Sequence, residues 1–472
     1  MSLLHGISTN AQALNTYGRA LQVTGNNIAN VNTQGYARQV VQVGSSNSYT
    51  QGRSVQSTGL SVTGYSDVRN SMLDAQIVRE QSVASRYEGE AEILSELETL
   101  LGDTLGNTEA LSTLEGASEE TLSGGLRGDL QAFFSSWDAL AAAPNNSSAK
   151  AQVLENAQTL VESLRGTDER LADLQSDLDN QAKLEIGTVN EQLSLIAQYN
   201  RQISSLGPKQ QEQANELESQ RQQALEELAK HMDFVAQPQE NGMINLVVTT
   251  EDGANLNLLE GSGTTLKLSW QDGKLVGGPD ANPLRVNGGQ LAAIESTRNG
   301  LIADTRASLD AVAGQLVQAT NAVYNPTGAA GEDFFLATGQ TASSIELEAG
   351  LTTTTLRANT VGSASSNDAA LAMGSLATRE FSTAAGEVVD GNLDNYLTDL
   401  TVTIGARVQA SQSDSDAESA ILSYLNTQRD SEIGVNLDEE VARMIQFQRS
   451  YQATSRVMRA MDDMLQDLLS QI

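Results

Sequence analysis

The last 29 residues, MIQFQRSYQATSRVMRAMDDMLQDLLSQI from Met444 to Ile472, carry two interleaved apolar series, each repeating every seven residues. Such a heptad predicts a coiled-coil helix that packs against a partner along its whole length. The seam consists of Met444, Phe447, Tyr451, Thr454, Met458, Met461, Leu465, Leu468 and Ile472. Because a lone amphipathic helix is only marginally stable in water, we expect this one to be poorly ordered in a monomer and helical in an assembly.

The N-terminal thirty residues repeat the same interval. Their seam consists of Leu4, Ile7, Leu14, Leu21 and Ile28, with the small Ala11, Gly18 and Gly25 as companions. A seam at each end indicates that the two chain ends meet and also find partners in neighbouring copies. We therefore predict a subunit that polymerises through its terminal helices, and we assign self-assembly to both seams.

Charge is distributed unevenly along the chain. Acidic residues outnumber basic ones 60 to 28, for a net charge of −32, which argues against nucleic acid and anionic membranes as partners. Residues 1–66 contain no Asp or Glu, so this arm can pack among copies of itself without like-charge repulsion. Compositional drift along the chain is the alternative explanation for the lack of acidic residues in this arm. The chain has no cysteine, no run of apolar residues long enough to span a membrane, and no pattern of a cleaved signal peptide.

Periodicity predicts a mainly α protein with inserted β structure, built as a discontinuous multi-domain rod. Residues 1–35 with 434–472 form a terminal coiled-coil domain. Residues 36–232 with 291–433 form a helical shaft with some extended segments, and residues 233–290 form a small antiparallel β domain. The other predicted helices span 72–101, 126–143, 149–206, 291–324, 395–428 and 437–472, while 36–65 is extended and 328–366 irregular.

The longest predicted helix, 149–206, has an apolar seam whose phase slips near residue 180, as a four-residue stutter would make it. Gly207-Pro208 ends it, and a second amphipathic helix follows, which predicts an antiparallel helical hairpin. Within 233–290, alternating β-branched runs are separated by Asn241-Gly242, Asp252-Gly253 and Asp272-Gly273. These pairs are typical of hairpin turns.

Residues that could support catalysis are few. His231 is predicted to face the last carbonyls of a helix, and His5 lies beside the N-terminal seam. Asp414, Asp416 and Glu418 lack the glycine and the distal glutamate of a calcium loop, so a solvated helix face or an interhelical turn is the better interpretation. We therefore predict no catalytic residues, no metal site and no cofactor, and hence a protein that is not an enzyme.

One short stretch resembles a known family. Asn26-Asn27-Ile28-Ala29-Asn30-Val31-Asn32-Thr33-Gln34-Gly35-Tyr36 is similar to the N-terminal signature of the bacterial flagellar axial proteins, the rod, hook and hook-associated members. Gly434-Val435-Asn436-Leu437-Asp438-Glu439-Glu440 looks like the matching C-terminal end and points to hook-associated members at the hook–filament junction. The signature turn comprises Asn26, Asn27, Asn30, Asn32, Gly35 and Tyr36. Its asparagines either hold a local turn or bond between subunits, and the two roles are compatible.

The resemblance implies a structural subunit of the extracellular bacterial flagellum that connects hook to filament and supports motility. It would leave the cell through the flagellar type III export apparatus. The implied partners are copies of itself in a helical ring, the hook protein, the second junction protein and a cytoplasmic export chaperone that holds the C-terminal helix. The methionines of that helix would suit both chaperone and sister subunits.

Two other interpretations are open. Another flagellar axial component, such as the hook protein or the second junction protein, fits the terminal seams but not the run from Gly434 to Glu440. A secreted coiled-coil adhesin fits the helices but not the asparagine-rich signature. A wall-degrading hydrolase would need a catalytic carboxylate or metal site, and the sequence offers none.

Overall fold

The structure, a computed structural model, describes residues 3–33, 35–45, 48–51, 54–57, 59–105, 125–207, 210–360 and 366–470. Gln34, Pro208 and Ile472 lie outside the described residues, as do the side chains of Leu4, His5 and Leu468. The helices in these ranges are α1 Leu3–Ala29, α2 Ser71–Leu105, α3 Gly125–Ala142, α4 Ser147–Ser205, α5 Gln211–His231, α6 Gly289–Thr297, α7 Ala303–Tyr324, α8 Asp368–Ser375, α9 Leu393–Ile433 and α10 Leu437–Ser470. The strands are β1 Gln39–Ser45, β2 Ser48–Gln51, β3 Ser54–Ser57, β4 Leu60–Asp67, β5 Val235–Pro238, β6 Ile244–Thr249, β7 Asn255–Leu259, β8 Leu268–Gln271, β9 Lys274–Gly277 and β10 Asn282–Pro283.

The α4–α5 hairpin forms the shaft of the molecule. Helix α4 is 59 residues long, and the Asn146 side chain caps it by accepting from the Ser148 backbone N–H at 2.9 Å. The helices are antiparallel, since α5 returns to place His231 against Glu185 on α4. The buried seam changes phase as the periodicity predicts, through Leu171, Leu174, Leu178, Ala182, Ile186, Val189 and Leu193. The predicted mainly α fold with inserted β structure is confirmed.

An aromatic cluster joins α3 and α7 to the irregular segment that follows α7. The rings of Trp137 and Phe334 lie 5.3 Å apart, and those of Tyr324 and Phe334 lie 5.5 Å apart, in edge-to-face contacts. Within the described part of 328–366 the backbone contains only turns, bends and the isolated bridge of Phe335 to Leu347. That segment is therefore irregular as predicted, yet its side chains belong to the main core.

The inserted β structure consists of two small antiparallel sheets, ordered β5-β6-β7 and β10-β9-β8. Asp272 and Gly273 connect β8 to β9 with φ values of 50° and 76°, the two positive φ angles that a type I′ hairpin turn requires. Leu246, Leu258 and Leu275 are buried in the same core as the α4 seam. The two sheets thus pack on the shaft.

Helix α6 begins at Gly289, and the predicted helical stretch 291–324 is helical throughout but contains a π turn. A π-helical turn, Arg298–Ile302, separates α6 from α7. Arg298 pairs there with Asp179 on α4 at 2.6 Å, and Asp179 also accepts from the Trp270 indole at 2.7 Å. Such single π turns occur where a helix must redirect a side chain, which heptad periodicity alone does not indicate.

The segment between the terminal helices and the shaft contains two antiparallel strand pairs, β1–β4 and β2–β3, where extended chain was predicted. In another part of the molecule, helix α9 packs along α2. Only a narrow stripe of α9 is buried, comprising Leu393, Leu397, Ile404, Ser411, Ser415, Leu425, Arg429 and Ile433. Helix α8 was not predicted from the sequence.

Candidate functional site

The two chain ends pair with each other. Helices α1 and α10 pack side by side in opposite directions. Near the start of α1, the Asn10 amide donates to the Met461 sulfur at 3.3 Å. Near the end of α1, the Asn27 amide donates to Glu440 at 3.1 Å. The structure thus brings together the two seams that the sequence singled out.

The seam of α1 is only partly covered within one chain. Ile7, Leu14, Leu21 and Ile28 are each half-buried. A neighbouring stripe is buried instead, because it faces β1 and β4; it consists of Thr16, Ala20, Val23, Thr24 and Asn27. The Thr16 hydroxyl lies 3.2 Å from the Leu60 carbonyl oxygen on β4. The heptad pattern did not indicate this second stripe, since three of its five residues are polar.

Helix α10 is still less covered. Met444, Phe447, Thr454, Met458, Met461 and Leu465 are half-buried, and Tyr451 is 41% exposed. Glu440 is the sole buried residue among the α10 side chains that the structure describes. Further large apolar side chains are exposed on α10, namely Leu437, Val441, Ile445, Val457 and Met464. An isolated copy therefore leaves a long apolar surface in water.

Asn27 is the centre of the signature turn. Its oxygen accepts from the Tyr36 hydroxyl and from the Gln39 backbone N–H, both at 3.0 Å. Its amide nitrogen donates to the Gln39 carbonyl at 2.9 Å and to Glu440. Asn27 is 1% exposed and has all four of its bonds satisfied. It ties the end of α1 to the start of β1 and to the first turn of α10.

Tyr36 lies in an electronegative, buried environment. Burial, followed by the nearby carboxylates of Glu216, Glu440 and Glu212, raises the pKa of Tyr36 to about 12. The phenol therefore stays protonated and acts as the hydrogen-bond donor to Asn27. This arrangement fixes the direction of the bond between the turn and α1.

The other signature residues have local or surface positions. Asn30 donates to the Asn26 carbonyl at 2.9 Å and accepts from the Thr33 hydroxyl at 3.2 Å, so it holds the turn. Asn26 and Asn32 are exposed. Gly35 has a φ of 74°, the left-handed conformation that suits glycine after a helix end.

Sequence reasoning missed the residues that anchor this corner to the rest of the molecule. Arg38 pairs with Glu439 at 3.3 Å, and its backbone N–H donates to the Ile433 carbonyl at 3.2 Å. Arg429 on α9 is 1% exposed and pairs with Glu226 on α5 at 2.5 Å. In the sequence, the only sign that Arg429 is buried is its position within the apolar stripe of α9.

The groups considered for chemistry occupy structural positions. His231 contacts Glu185 at 2.5 Å and does not cap its own helix, so the predicted carbonyl contact is wrong. Asp414 and Asp416 are exposed on α9, and Glu418 is half-exposed on the same helix. In the described ranges, no group of three or more His, Cys, Asp or Glu side chains could hold a metal ion. No helix found in those ranges is long and apolar enough to cross a membrane.

Paired end helices whose apolar seams are half covered within one copy are typical of a self-assembling structural subunit. Comparison with known proteins agrees. The family model described as the flagellar hook-associated protein FlgK helical domain matches residues 111–335. The model described as the C-terminal region of the flagellar basal body rod FlgEFG proteins matches residues 430–472.

Two relatives with the same name are similar to this chain. It is 25% identical to flagellar hook-associated protein 1 of Bacillus subtilis, over 99% of this chain and 98% of that protein. It is 24% identical to flagellar hook-associated protein 1 of Salmonella typhimurium, over 68% of this chain and 57% of that protein. Over nearly its whole length the chain is thus similar to flagellar hook-associated protein 1.

A solved structure is also similar. It is that of the flagellar hook junction protein FlgK from Burkholderia pseudomallei, at 19% identity and a TM-score of 0.46. The match covers 56% of this chain and 46% of that one.

Proposed function

We propose that this chain is a structural subunit of the bacterial flagellum that forms the junction between hook and filament and polymerises through α1 and α10. The observation that carries the proposal is the antiparallel pair of end helices whose seams are half-buried in one copy. The names of the relatives support the place of assembly. Neighbouring copies would complete the burial, at roughly 25 cal/mol per Å² of apolar surface removed from water.

The proposed partners are copies of this chain in a helical ring, the hook protein on one side and the second junction protein on the other. Before assembly, a cytoplasmic export chaperone would hold α10, whose half-buried Met444, Met458 and Met461 adapt to different neighbours. The assembled protein would be an extracellular part of the flagellum.

The break between α9 and α10 supports the same proposal. Only Gly434, Val435 and Asn436 separate α9 from α10. The Asn436 side chain accepts from the Asp438 backbone N–H at 3.0 Å and so starts α10 anew. Residues 1–35 with 434–472 would form the inner layer of a tube. The shaft and the 233–290 sheets would lie outside it.

A charge placed on the exposed seam tests the assembly role. Tyr451→Asp should leave the monomer folded, because Tyr451 is 41% exposed, but should block polymerisation by burying an unpaired carboxylate between copies. In a strain lacking this protein, electron microscopy should show hooks without filaments, with filament subunits lost to the medium. Wild-type chain should restore filaments, and Tyr451→Asp should not.

Gln446→Asp is the matched control, since Gln446 is exposed on α10 away from the seam. It should restore filaments and motility. Normal filaments on cells carrying Tyr451→Asp would contradict the assembly role of the seam. Failure of the wild-type chain to act at the junction would contradict the proposed function as a whole.

Removing residues from Met444 onward tests the chaperone role. A pull-down from cytoplasm with full-length chain should capture an export chaperone, and the truncated chain should not. Loss of junction assembly should accompany loss of capture. Retained capture by the truncated chain would show that the chaperone binds elsewhere.

A further inference from the structure

A polar cleft lies where the end of α1 and the start of β1 meet the tip of the α4–α5 hairpin. Its volume is about 710 Å³. Amide and carboxylate side chains line most of it, among them Asn26, Gln39, Gln202, Glu212, Gln213 and Glu216. The cleft is therefore rich in hydrogen-bond acceptors and negatively charged.

Gln39 gives the cleft an unsatisfied acceptor. Its backbone is fully engaged with Asn27, and the residue is only 5% exposed. Its side-chain oxygen is buried yet has no hydrogen-bond partner. Buried amide oxygens in folded proteins are nearly always paired, so this one marks an incompletely satisfied corner behind the wall of the cleft.

The two carboxylates of the cleft, Glu212 and Glu216, are further acceptors. Glu216 accepts from the Gln220 amide at 3.1 Å. Among the ion pairs of the described residues, none involves Glu212 or Glu216. Both carboxylates help to raise the pKa of Tyr36, after the larger effect of burial, so their negative potential extends into the corner. A cationic donor, above all a guanidinium group, fits these acceptors.

The complementary surface is on α10. Residues 441–461 contain four arginines and no Asp or Glu, in a chain whose net charge is −32. One exposed face of α10, which we name the basic face, consists of Val441, Ile445, Arg449, Gln452 and Arg456. The spacing of four, four, three and four residues puts them on one side of the helix. Neither Arg449 nor Arg456 appears in an ion pair among the described residues.

The cleft and the basic face also match in their apolar parts. Val441 and Ile445 are 41% and 45% exposed at the N-terminal end of the face. Leu206 and Leu217 are half-buried at the wall of the cleft. Within one chain, α10 contacts Asn27 through Glu440 and then runs towards Asn10. Its arginines therefore lie farther from the cleft along the helix. The occupant must come from another copy.

We propose that the basic face of one copy docks in the cleft of a second copy, with Arg449 and Arg456 donating to the carboxylates of Glu212 and Glu216. This inference rests on the proposed function, because it names the contact through which copies assemble. The two surfaces differ, so the contact is heterologous and repeats from copy to copy in a ring or a helix.

Site-directed disulfide formation tests the contact, since the native chain has no cysteine and gives no background. Full-length Gln213→Cys lines the cleft, and full-length Gln452→Cys lies in the middle of the basic face. Mixed under mild oxidation, the two should give a heterodimer. Gln198→Cys, exposed elsewhere on α4, is the matched control and should give on the order of tenfold less. Equal yields from Gln213→Cys and Gln198→Cys would overturn the proposal.

Charge exchange tests the chemistry of the same contact. Glu212→Arg with Glu216→Arg in the cleft partner, or Arg449→Glu with Arg456→Glu in the other, should each lower the heterodimer yield on the order of tenfold, and combining both should restore it. Glu212→Gln with Glu216→Gln gives a weaker loss without risking the fold. Unchanged yields in all of these variants overturn the proposal. If junction assembly nevertheless proceeds, the proposed function stands and only this contact is wrong.

Discussion

Asn27 bonds to three other residues at the corner between α1, β1 and α10. Asn27→Ala leaves the Tyr36 hydroxyl, the Gln39 backbone and one oxygen of Glu440 without partners. Because these groups would be left buried and unpaired, we expect a loss of roughly 2–4 kcal/mol in the free energy of unfolding. Urea denaturation followed by circular dichroism measures it.

Asn32→Ala is the matched control for Asn27→Ala. Because both asparagines belong to the signature turn, the sequence suggests that they contribute equally to stability, but Asn32 is exposed. Its replacement should change the free energy of unfolding by less than about 0.5 kcal/mol. Equal effects of the two substitutions would mean that the network around Asn27 contributes little.

At this corner, the sequence indicates which residues are important but not which residues contact each other. The asparagine-rich signature and the Gly434–Glu440 run could each be recognised separately in the sequence. Their direct contact, Asn27 to Glu440, joins residues 413 positions apart, and no local pattern encodes that pairing. The orphaned oxygen of Gln39 is likewise a property of the folded corner.

At the scale of one helix, the shifted seam of α4 predicts a sharp difference between two leucines. Leu178 is 2% exposed and Leu184 is 75% exposed, six residues further along the same helix. Leu178→Ala should cost roughly 2–5 kcal/mol by leaving a cavity, whereas Leu184→Ala should cost less than about 0.5 kcal/mol. Urea midpoints of the two variants measure the difference. Similar midpoints would show that the shaft does not follow the stutter.

Elements with strong local signals could be predicted from the sequence. The long helices follow from apolar periodicity, and the Asp272-Gly273 turn follows from the ease with which those residues take positive φ. Helix α8 is only eight residues long, too short for a periodicity to appear. The π turn at Arg298 and the buried polar stripe of α1 depend on neighbours, Asp179 in one case and β1 with β4 in the other.

At the scale of the whole molecule, buried carboxyl groups set the pH dependence of stability. Burial raises the pKa of Asp74 and of Glu218 above their ordinary values of 3.8 and 4.5. Such groups bind protons more readily in the folded than in the unfolded state, so stability rises as pH falls through the raised pKa values. Release of repulsion in a chain of charge −32 acts in the same direction. We expect the melting temperature to increase from pH 8 to about pH 5.

Asp179 determines how far the pH can fall before stability decreases again. Burial alone would raise its pKa, but bonds from Arg298 and Trp270 outweigh burial and lower it below 3.8. The stability that Asp179 contributes is therefore lost only in stronger acid. Calorimetry across this range measures the curve, and Glu218→Gln should flatten its upper part. A melting temperature that falls steadily from pH 8 to pH 5 would refute the assignment.

The pairing of α1 with α10 also affects the order of events during synthesis. Helix α1 leaves the ribosome first, and its partner is made about 430 residues later. At translation rates of about 5–20 residues per second, α1 waits on the order of 20–90 seconds for α10. Throughout that interval α1 lacks the helix that packs against it, and whatever meets it first in the cell meets an unpaired helix.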